Sequence, residues 1–311
     1  MNVLCQLGDD IARRIERAVP GVTTTVVPGT GPVPDEAQGE VLLTAARGSD
    51  NIADVLGHGV RWVHAFGTGV DHFPLDTLDG RLLTCSRGAS AIPISEWVLA
   101  VMLAFEKRLP DAWITEKPQH WNFPVGGQLG TLYRRTLALI GLGGIGTAVA
   151  ERALAFGMRV RALRRTDSPS PVEGVDVVGS LEDVLRDADH VVVTAPATPE
   201  THHLLDPAAF AAMKPGVHLV NIARGALVDQ DALRVALDDG TVARASLDTV
   251  DPEPLPEGHW LYSHPKVRLS AHISWSMPDA ADLLLGVFTE NLQRYQQRAP
   301  MLGVVDVAAG Y

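Results

Sequence analysis

A glycine-rich loop is the first part of the sequence whose residue types and spacing suggest chemistry. Residues 141–146 read Gly-Leu-Gly-Gly-Ile-Gly, between the apolar run 136–140 and the alanine-rich stretch 147–156. Such a loop between a strand and a helix turns tightly, admits a pyrophosphate close to its backbone and presents N–H groups of the helix N-terminus. Gly157 is placed to end that helix in a left-handed conformation. The pattern predicts a dinucleotide site at Gly141, Gly143, Gly144, Ile145 and Gly146.

Two arginines and a threonine follow the next predicted strand, residues 159–163. Folds that select NAD usually carry Asp or Glu about 20 residues beyond the glycines, where it holds the ribose 2′-hydroxyl. Arg164, Arg165 and Thr166 suit a 2′-phosphate instead, because guanidinium groups bind phosphate through paired donors. A solvated strand end is the alternative. The sequence therefore favours NADP(H) over NAD(H).

Short apolar, β-branched runs recur along the chain with helical stretches between them, which is typical of parallel sheets covered on both faces. A first series predicts a domain of about a hundred residues. Its runs are residues 3–6, 24–27, 41–44, 61–65 and 82–86. A second series of six runs matches the six-strand doubly wound nucleotide-binding plan. Its runs are residues 136–140, 159–163, 189–194, 217–222, 243–247 and 267–271.

Composition and charge exclude several classes of protein. The chain has 311 residues, 46% of them hydrophobic and 20% charged, so about two folded domains are expected rather than a disordered chain. A net charge of −11 is a poor match for nucleic acid, whose binding depends on Lys and Arg. No signal peptide or membrane-length apolar run is recognisable, and only two cysteines occur. We expect a cytoplasmic protein without nucleic-acid or membrane partners.

Several further motifs follow one another in a fixed order. Besides the glycine loop they are residues 67–71, 95–100, 196–201, 221–225 with 228–229, 248–256, 264–265 and 271–272. With them, nearly the whole chain resembles the D-isomer-specific 2-hydroxyacid dehydrogenase family, in particular its glyoxylate/hydroxypyruvate reductase branch. The resemblance implies two doubly wound α/β domains. A Rossmann cofactor-binding domain would span residues 96–278, and a flavodoxin-like substrate domain would combine residues 1–95 and 279–311.

The resemblance implies that Arg224, Glu253 and His272 carry the chemistry, which is hydride transfer between nicotinamide and a 2-oxo or 2-hydroxy acid. Arg224 would bind the substrate carboxylate and polarise the carbonyl. His272 would exchange a proton with the substrate oxygen. Glu253 would fix the imidazole in one tautomer and favour its protonated form. Asp251 and Glu257 are near in sequence, and spacing alone does not choose among the three acids.

The resemblance also implies binding residues. Thr68 and Gly69 would offer backbone N–H groups to the substrate carboxylate, the alternative being an ordinary turn. Arg47 and Trp275 are further substrate-site candidates, with a solvated arginine and simple packing as alternatives. Asp248 would bond the nicotinamide carboxamide. The remaining residues of the cofactor trough would be Thr194, Pro196, Thr201 and Ile222.

The expected function is an NAD(P)-dependent reductase of a small 2-oxo acid such as glyoxylate or hydroxypyruvate, with NADP(H) favoured and no metal. A dinucleotide-sensing, corepressor-like protein without catalysis is one alternative. A relative that acts on formate or phosphite is another. The aromatic stretch 113–133 is expected to be an arm that joins two copies into a homodimer, so the partners are a small acid and a second copy of the chain.

Overall fold

The computed structural model of the protein describes residues 1–117, 128–165 and 168–311. The chain divides into two compact units. The first unit combines residues 1–90 with residues 277–311, and the second consists of residues 91–276. The first unit therefore contains both ends of the chain. The sequence predicts the divisions at residues 95/96 and 278/279.

The first unit is built on a five-stranded parallel sheet. Its strands are β1 (Asn2–Cys5), β2 (Thr23–Val26), β3 (Val41–Ala45), β4 (Trp62–Phe66) and β5 (Leu82–Cys85). Their spatial order, β2-β1-β3-β4-β5, is that of flavodoxin-like sheets, which confirms the predicted class of this domain. Its helices are α1 (Asp9–Ala18), α2 (Ile52–Leu56) and the final helix of the chain, α8 (Ala280–Gln296).

Both faces of this sheet are buried. Successive strand residues point to opposite faces, so neighbouring residues of one strand enter different cores. Leu42 packs in a cluster with Val55 of α2, whereas Leu43 packs in a cluster with Trp62 and with Phe288 of α8. Two covered faces explain why an interior strand such as β3 reads as a continuous apolar run rather than as an alternating one.

The second unit is built on a seven-stranded parallel sheet. Its strands are β6 (Thr136–Ile140), β7 (Arg159–Leu163), β8 (Val175–Val178), β9 (His190–Val193), β10 (Val217–Asn221), β11 (Val242–Leu247) and β12 (Val267–Leu269). Their spatial order is β12-β11-β10-β9-β6-β7-β8. Its helices are α3 (Ala91–Glu106), α4 (Gly144–Ala155), α5 (Leu181–Leu185), α6 (Pro207–Ala211) and α7 (Gln230–Asp239).

The predicted count of six strands in this sheet is wrong. The strand that the prediction misses is β8, which has four residues, includes the acidic Asp176 and forms an edge of the sheet. The preceding stretch is rich in Ser and Pro, which masks the strand in a hydrophobicity pattern. The doubly wound class is confirmed. The strand order reverses between β6 and β9, and ligands bind at the carboxyl ends of the strands at such a point.

Among the residues that the structure describes, no helix is both long and apolar enough to cross a membrane.

Candidate active site

The glycine loop joins β6 to α4 and is closely packed on one side only. Gly141 has a φ of +105°, and a Cβ added there would lie 2.8 Å from the backbone nitrogen of Ala195. A Cβ added at Gly146 would lie 2.4 Å from the carbonyl oxygen of Gly141. A Cβ added at Gly143 would meet nothing within 4 Å. The loop thus rests against the end of β9, and Gly143 leaves backbone open to a ligand.

The N-terminus of α4 has the character of a phosphate site. The helix begins at Gly144, and its N-cap residue Gly143 has no side chain that could satisfy the first N–H groups. These donors carry the positive end of the helix dipole. Gly157 follows the helix with a φ of +72°, as predicted. The open cradle and the uncapped helix fit the pyrophosphate of an NAD(P) cofactor.

Three residues predicted to line the cofactor trough make hydrogen bonds or packing contacts with neighbouring parts of the protein. The Thr194 hydroxyl donates to the carbonyl oxygen of Gly141 at 2.7 Å. The Thr201 hydroxyl donates to the carbonyl oxygen of Pro196 at 2.7 Å and accepts from a backbone N–H at 2.8 Å. Ile222 is 4% exposed and packs in the core cluster shared by α3 and α4. These side chains shape the loops beside the cradle, Thr194 and Thr201 stay partly exposed, and their predicted contact with the cofactor stays a prediction.

Arg164 and Arg165 lie directly after β7. Arg164 Nη1 donates to the carbonyl oxygens of Ser168 at 3.2 Å and Pro169 at 2.7 Å, so this side chain organises the loop that follows the strand. Arg165 is exposed. The pKa of Glu200 is lowered first by the Thr198 hydroxyl and, to a smaller extent, by the charge of Arg165. The predicted contact residue Thr166 lies outside the described residues.

His272 and Glu253 form a hydrogen-bonded pair. His272 Nδ1 lies 3.0 Å from Glu253 Oε2, and the two side chains are 40% and 35% exposed. Of the three acids left open by the sequence, Glu253 is the one whose carboxylate reaches the imidazole among the described residues. The other ring nitrogen of His272, Nε2, has no hydrogen-bond partner within the described part of the chain. In the imidazole of His272, therefore, Nδ1 is bonded to Glu253, whereas Nε2 has no partner among the described residues.

Asp248 follows β11 and holds the segment that carries His272. Asp248 Oδ1 accepts from the Ser270 hydroxyl at 2.5 Å and from the backbone N–H of Ile273 at 3.0 Å. Its Oδ2 accepts from the backbone N–H of Ser274 at 3.0 Å, and its carbonyl oxygen accepts from the N–H of His272 at 2.9 Å. Asp248 is 2% exposed. Its predicted contact with the nicotinamide carboxamide stays a prediction.

Arg224 is held by the residue that ends β10. Asn221 Oδ1 accepts from the N–H of Ala223 at 3.0 Å, and Asn221 Nδ2 donates to the carbonyl oxygen of Arg224 at 2.8 Å. The Arg224 side chain is half-buried. A Cβ added at Gly225 would lie 1.9 Å from the carbonyl carbon of Val250, so only glycine fits beside the neighbouring loop.

The three residues predicted to be catalytic leave three consecutive strands of the sheet at the same end. Arg224 follows β10, Glu253 follows β11 and His272 follows β12. A cavity of about 440 Å³ lies beside Glu253 and His272, with apolar walls that include Leu255 and Leu269. No group of three or more His, Cys, Asp or Glu residues that could hold a metal ion occurs among the described residues.

In the first unit, the predicted carboxylate loop follows β4. The backbone N–H groups of Thr68 and Gly69 have no acceptor among the described residues, and both residues are partly exposed. A Cβ added at Gly67 would lie 2.6 Å from the Cβ of Ala46, so this loop packs against the segment that follows β3. Arg47 lies in that segment and is exposed. This loop has the free donors that an anion needs.

A profile of the D-isomer specific 2-hydroxyacid dehydrogenase NAD binding domain matches residues 99–274, more than half of the chain. The chain belongs to the D-isomer-specific 2-hydroxyacid dehydrogenase family. This dehydrogenase is an NAD(P)-dependent oxidoreductase, and the matched residues include the glycine loop, Arg224, Glu253 and His272.

Individual relatives of this dehydrogenase agree with that result. Glyoxylate/hydroxypyruvate reductase A of Serratia proteamaculans (strain 568) is 31% identical over 264 residues, which are 81% of this chain and 82% of that protein. D-3-phosphoglycerate dehydrogenase of Bacillus subtilis (strain 168) is 33% identical over 248 residues, which are 78% of this chain but 46% of that protein. The match thus spans about half the length of the second relative. Neither protein favours the corepressor or the formate and phosphite alternatives.

A solved structure has the same fold as this dehydrogenase. The crystal structure of a D-isomer specific 2-hydroxyacid dehydrogenase from Xanthobacter autotrophicus Py2, in complex with NADPH and MES, superposes with a TM-score of 0.80 at 26% identity. The superposition covers 100% of this chain and 99% of that chain. This agreement confirms the predicted pair of parallel-sheet α/β domains.

The sequence analysis misses two polar residues of this dehydrogenase that hold the segments carrying Arg224 and His272 in place. Asn221 is part of a motif used for recognition, yet its side-chain contacts with the Arg224 loop are visible only in the structure. Ser270 has no sequence signal beyond its position near the end of the predicted strand 267–271. Its hydrogen bond to Asp248 joins residues 22 positions apart, and such a pairing depends on strand register.

Proposed function

We propose that this dehydrogenase reduces glyoxylate, hydroxypyruvate or a 2-oxo acid of similar size, with NADPH as the reductant. The observation that carries the proposal is the arrangement of Arg224, Glu253 and His272 at three adjacent strand ends, with the imidazole held through Nδ1 and open at Nε2. The similarity to a glyoxylate/hydroxypyruvate reductase over most of both chains supports the substrate class.

In this proposal each residue has a separate task. A nicotinamide cofactor held at the glycine loop would supply the hydride for C2 of the acid. Arg224 binds the carboxylate through its planar guanidinium and polarises the carbonyl. His272 donates its Nε2 proton to the carbonyl oxygen, which becomes the hydroxyl, and it takes that proton back in the reverse direction. Glu253 orients the ring through Nδ1 and balances its positive charge. The free N–H groups of Thr68 and Gly69 are proposed to bind the carboxylate.

The first test is an assay of NADPH and NADH oxidation against glyoxylate, hydroxypyruvate, pyruvate, phenylpyruvate and 2-oxoisovalerate. We expect the highest kcat/KM with glyoxylate or hydroxypyruvate. A preference for phenylpyruvate or 2-oxoisovalerate would replace the proposed substrate class by one with bulkier side chains. Tight cofactor binding without turnover of any acid would contradict the catalytic proposal itself.

We propose that NADP(H) is preferred over NAD(H). The residue that follows β7 is Arg164, at the position where an acidic residue would repel a 2′-phosphate, and a second arginine follows it. Arg164 is tied to carbonyl oxygens of its own loop, which holds the strand end in one conformation. Arg165 is exposed beside it and supplies a further positive charge. Two guanidinium groups there would stabilise the phosphate.

The cofactor preference is tested by Arg164→Asp, which places an acidic residue next to the predicted phosphate. We expect the ratio of kcat/KM for NADPH to that for NADH to fall by about 10-fold or more, since a charged hydrogen bond contributes about 1.5–3 kcal/mol. Arg159→Gln, at the opposite end of β7 and exposed, is the matched control. An unchanged ratio in Arg164→Asp would show that the preference lies elsewhere.

We propose that Trp275 limits the size of the substrate side chain. Its indole Nε1 donates to the carbonyl oxygen of His272 at 2.9 Å, and the residue remains 42% exposed. A large side chain fixed next to the proton donor leaves room for short acids only. Trp275→Ala should raise kcat/KM for phenylpyruvate relative to glyoxylate, and Trp275→Phe should change that ratio less. Equal ratios in both variants and the wild type would remove Trp275 from this role. Arg47 stays a candidate for contact with the substrate.

We propose that the protein is a homodimer joined through the stretch 113–133. Only residues 113–117 and 128–133 of this stretch are described. They include the apolar side chains of Trp113 and Ile114, which are 66% and 53% exposed, and Tyr133, which is 56% exposed. These exposed apolar groups support the proposal to the extent that they form one contiguous patch, the feature that marks interaction surfaces. Light scattering at micromolar concentration should give twice the mass of one chain, and a monomer would contradict the proposal.

A further inference from the structure

We propose that Asp248 and Ser270 are positioning residues that hold the imidazole of His272 in its working orientation. This inference rests on the proposed function, because it takes His272 as the proton donor. Residues 270–276, which carry His272, form the histidine loop. Neither Asp248 nor Ser270 is required to touch the substrate in this role.

The histidine loop has a backbone conformation that must be imposed from outside. His272 has a φ of +54°, in the left-handed region that residues with a side chain rarely adopt. Such a conformation persists only where neighbouring contacts over-determine it. The N–H of His272 donates to the carbonyl oxygen of Asp248 at 2.9 Å, and the N–H of Ser270 donates to that of Leu247 at 3.0 Å. Backbone contacts alone therefore fix one side of the loop.

The Asp248 carboxylate fixes the other side. Its two oxygens collect donors from residues before and after His272: the Ser270 hydroxyl at 2.5 Å and the N–H groups of Ile273 and Ser274 at 3.0 Å each. The carboxylate is 2% exposed, so these three donors replace the water it has lost. Because the donors flank His272 on both sides, the backbone from which the imidazole projects cannot move without breaking at least one of them, and Glu253 then orients the ring through Nδ1.

The side chain of Asn221 holds the backbone around Arg224 in a similar way, which supports this interpretation. Asn221, which is 1% exposed at the end of β10, contacts the backbone on either side of Arg224 in the same manner. The backbone N–H of Asp248 donates to the carbonyl oxygen of Asn221 at 2.9 Å, so the two holding residues are themselves joined. The side chains differ for a chemical reason. Asp248 receives only donors, whereas Asn221 must both accept from Ala223 and donate to Arg224.

Ser270 is the better residue to test, since Asp248 also has a predicted contact with the cofactor. Ser270→Ala removes the hydroxyl that donates to Asp248, whereas Ser270→Thr retains it. Ser263→Ala is the matched control, because its exposed hydroxyl donates to the carbonyl oxygen of Trp260, far in sequence from the histidine loop's contacts with Asp248. We expect kcat with glyoxylate to fall by about 10-fold in Ser270→Ala, since small displacements of a reacting group cost up to about 100-fold. Ser270→Thr and Ser263→Ala should stay near the wild type.

Two further measurements separate positioning from a general structural effect. Cofactor affinity, measured by quenching of tryptophan fluorescence, should not change in Ser270→Ala, and neither should KM for the cofactor. The ¹⁵N resonances of His272, assigned by their absence in His272→Gln, should report a single tautomer with the proton on Nδ1 in the wild type. In Ser270→Ala they should report a mixture of tautomers, and Ser270→Thr should restore the wild-type signature.

The outcomes distinguish this inference from the proposed function. If the wild type turns over none of the acids, the proposed function fails, but the ¹⁵N signature still tests the positioning of His272 without substrate. If Ser270→Ala keeps the wild-type kcat and the wild-type signature, the positioning role is overturned. A loss of kcat that is equal in Ser270→Ala and Ser270→Thr would also overturn it, because the hydroxyl would then not be the cause.

Discussion

Two histidine–glutamate pairs lie at opposite ends of the seven-stranded sheet. His272 and Glu253 follow strands at the carboxyl end and are 3.0 Å apart. His190, the first residue of β9, lies 3.0 Å from Glu106 at the amino end. The distances are equal, but the side chains of the first pair are 40% and 35% exposed and those of the second are 0% and 5% exposed. The exposed pair is accessible to a substrate, whereas the buried pair contributes only to the packing and hydrogen bonding of the core.

Every polar atom of the buried pair's histidine already has a partner. His190 Nδ1 lies 3.2 Å from Nδ1 of His218, whose Nε2 lies 2.9 Å from the Ser246 hydroxyl. Phe105 stacks on the His218 ring with a centroid distance of 4.5 Å. Burial, and then the charges of His190 and Arg244, hold the pKa of His218 well below its ordinary value. This network satisfies its own hydrogen bonds and leaves no atom for a ligand.

The largest contrast is expected from the two histidines. His272→Gln should lower kcat by at least about 100-fold, because it removes the proton donor, and cofactor affinity should persist. His190→Gln should keep kcat near the wild type and lower the free energy of unfolding by about 1–3 kcal/mol, because buried partners lose a hydrogen bond. Steady-state kinetics and urea unfolding of both variants measure the contrast. Retained turnover in His272→Gln would remove that residue from the reaction.

The two glutamates should repeat the contrast with smaller effects on rate. Glu253→Gln keeps the shape of the side chain but removes the charge, and we expect kcat to fall roughly 10-fold. Glu106→Gln should leave kcat unchanged and lower the free energy of unfolding, because the buried His190 loses its charged partner and Arg135 Nε lies 3.6 Å from the same carboxylate. Equal losses of rate in both variants would mean that exposure does not separate the two pairs.

A further comparison concerns the pH dependence of stability. Burial holds the pKa of His64 at about 3 and the pKa of His218 well below its ordinary 6.5, so the folded protein binds fewer protons than the unfolded chain. The stability that these neutral histidines contribute is present above about pH 6.5 and is lost as the pH falls toward their folded pKa values, by up to about 1.4 kcal/mol per pH unit for each. Urea midpoints between about pH 7 and pH 5 measure the loss. His218→Gln should show a shallower dependence than the wild type, and an equal slope would exclude His218 as a cause.

Much of the fold is predictable because it depends on local pattern. The glycine loop, the αL glycine that ends α4 and the continuous apolar runs of buried strands each involve residues close in sequence. The prediction misses β8 because a four-residue edge strand with an acidic residue gives too weak a pattern. Its three valines favour a strand, and pairing with β7 fixes it at the edge of the sheet.

The functional residues, too, divide into those that a local motif predicts and those that only tertiary contacts identify. The family motif selects Arg224, Glu253 and His272 for test, whereas sequence spacing alone cannot show whether Glu253, Asp251 or Glu257 contacts the imidazole. That choice depends on the path of the loop after β11, which brings one carboxylate to the imidazole. Ile222 is buried by packing against α3 and α4, and its predicted place in the cofactor trough stays a prediction.

The sequence by itself determined the dinucleotide loop, the alternation of strands and helices, and the set of residue types needed for 2-oxo acid chemistry. Only the tertiary structure decided which of the histidine–glutamate pairs stays open to a ligand, and which polar side chains hold the loops of Arg224 and His272. The reason is physical. Turn and helix preferences depend on neighbouring residues, whereas exposure and pairing depend on register between strands and on contacts such as His190 with Glu106, which are 84 residues apart.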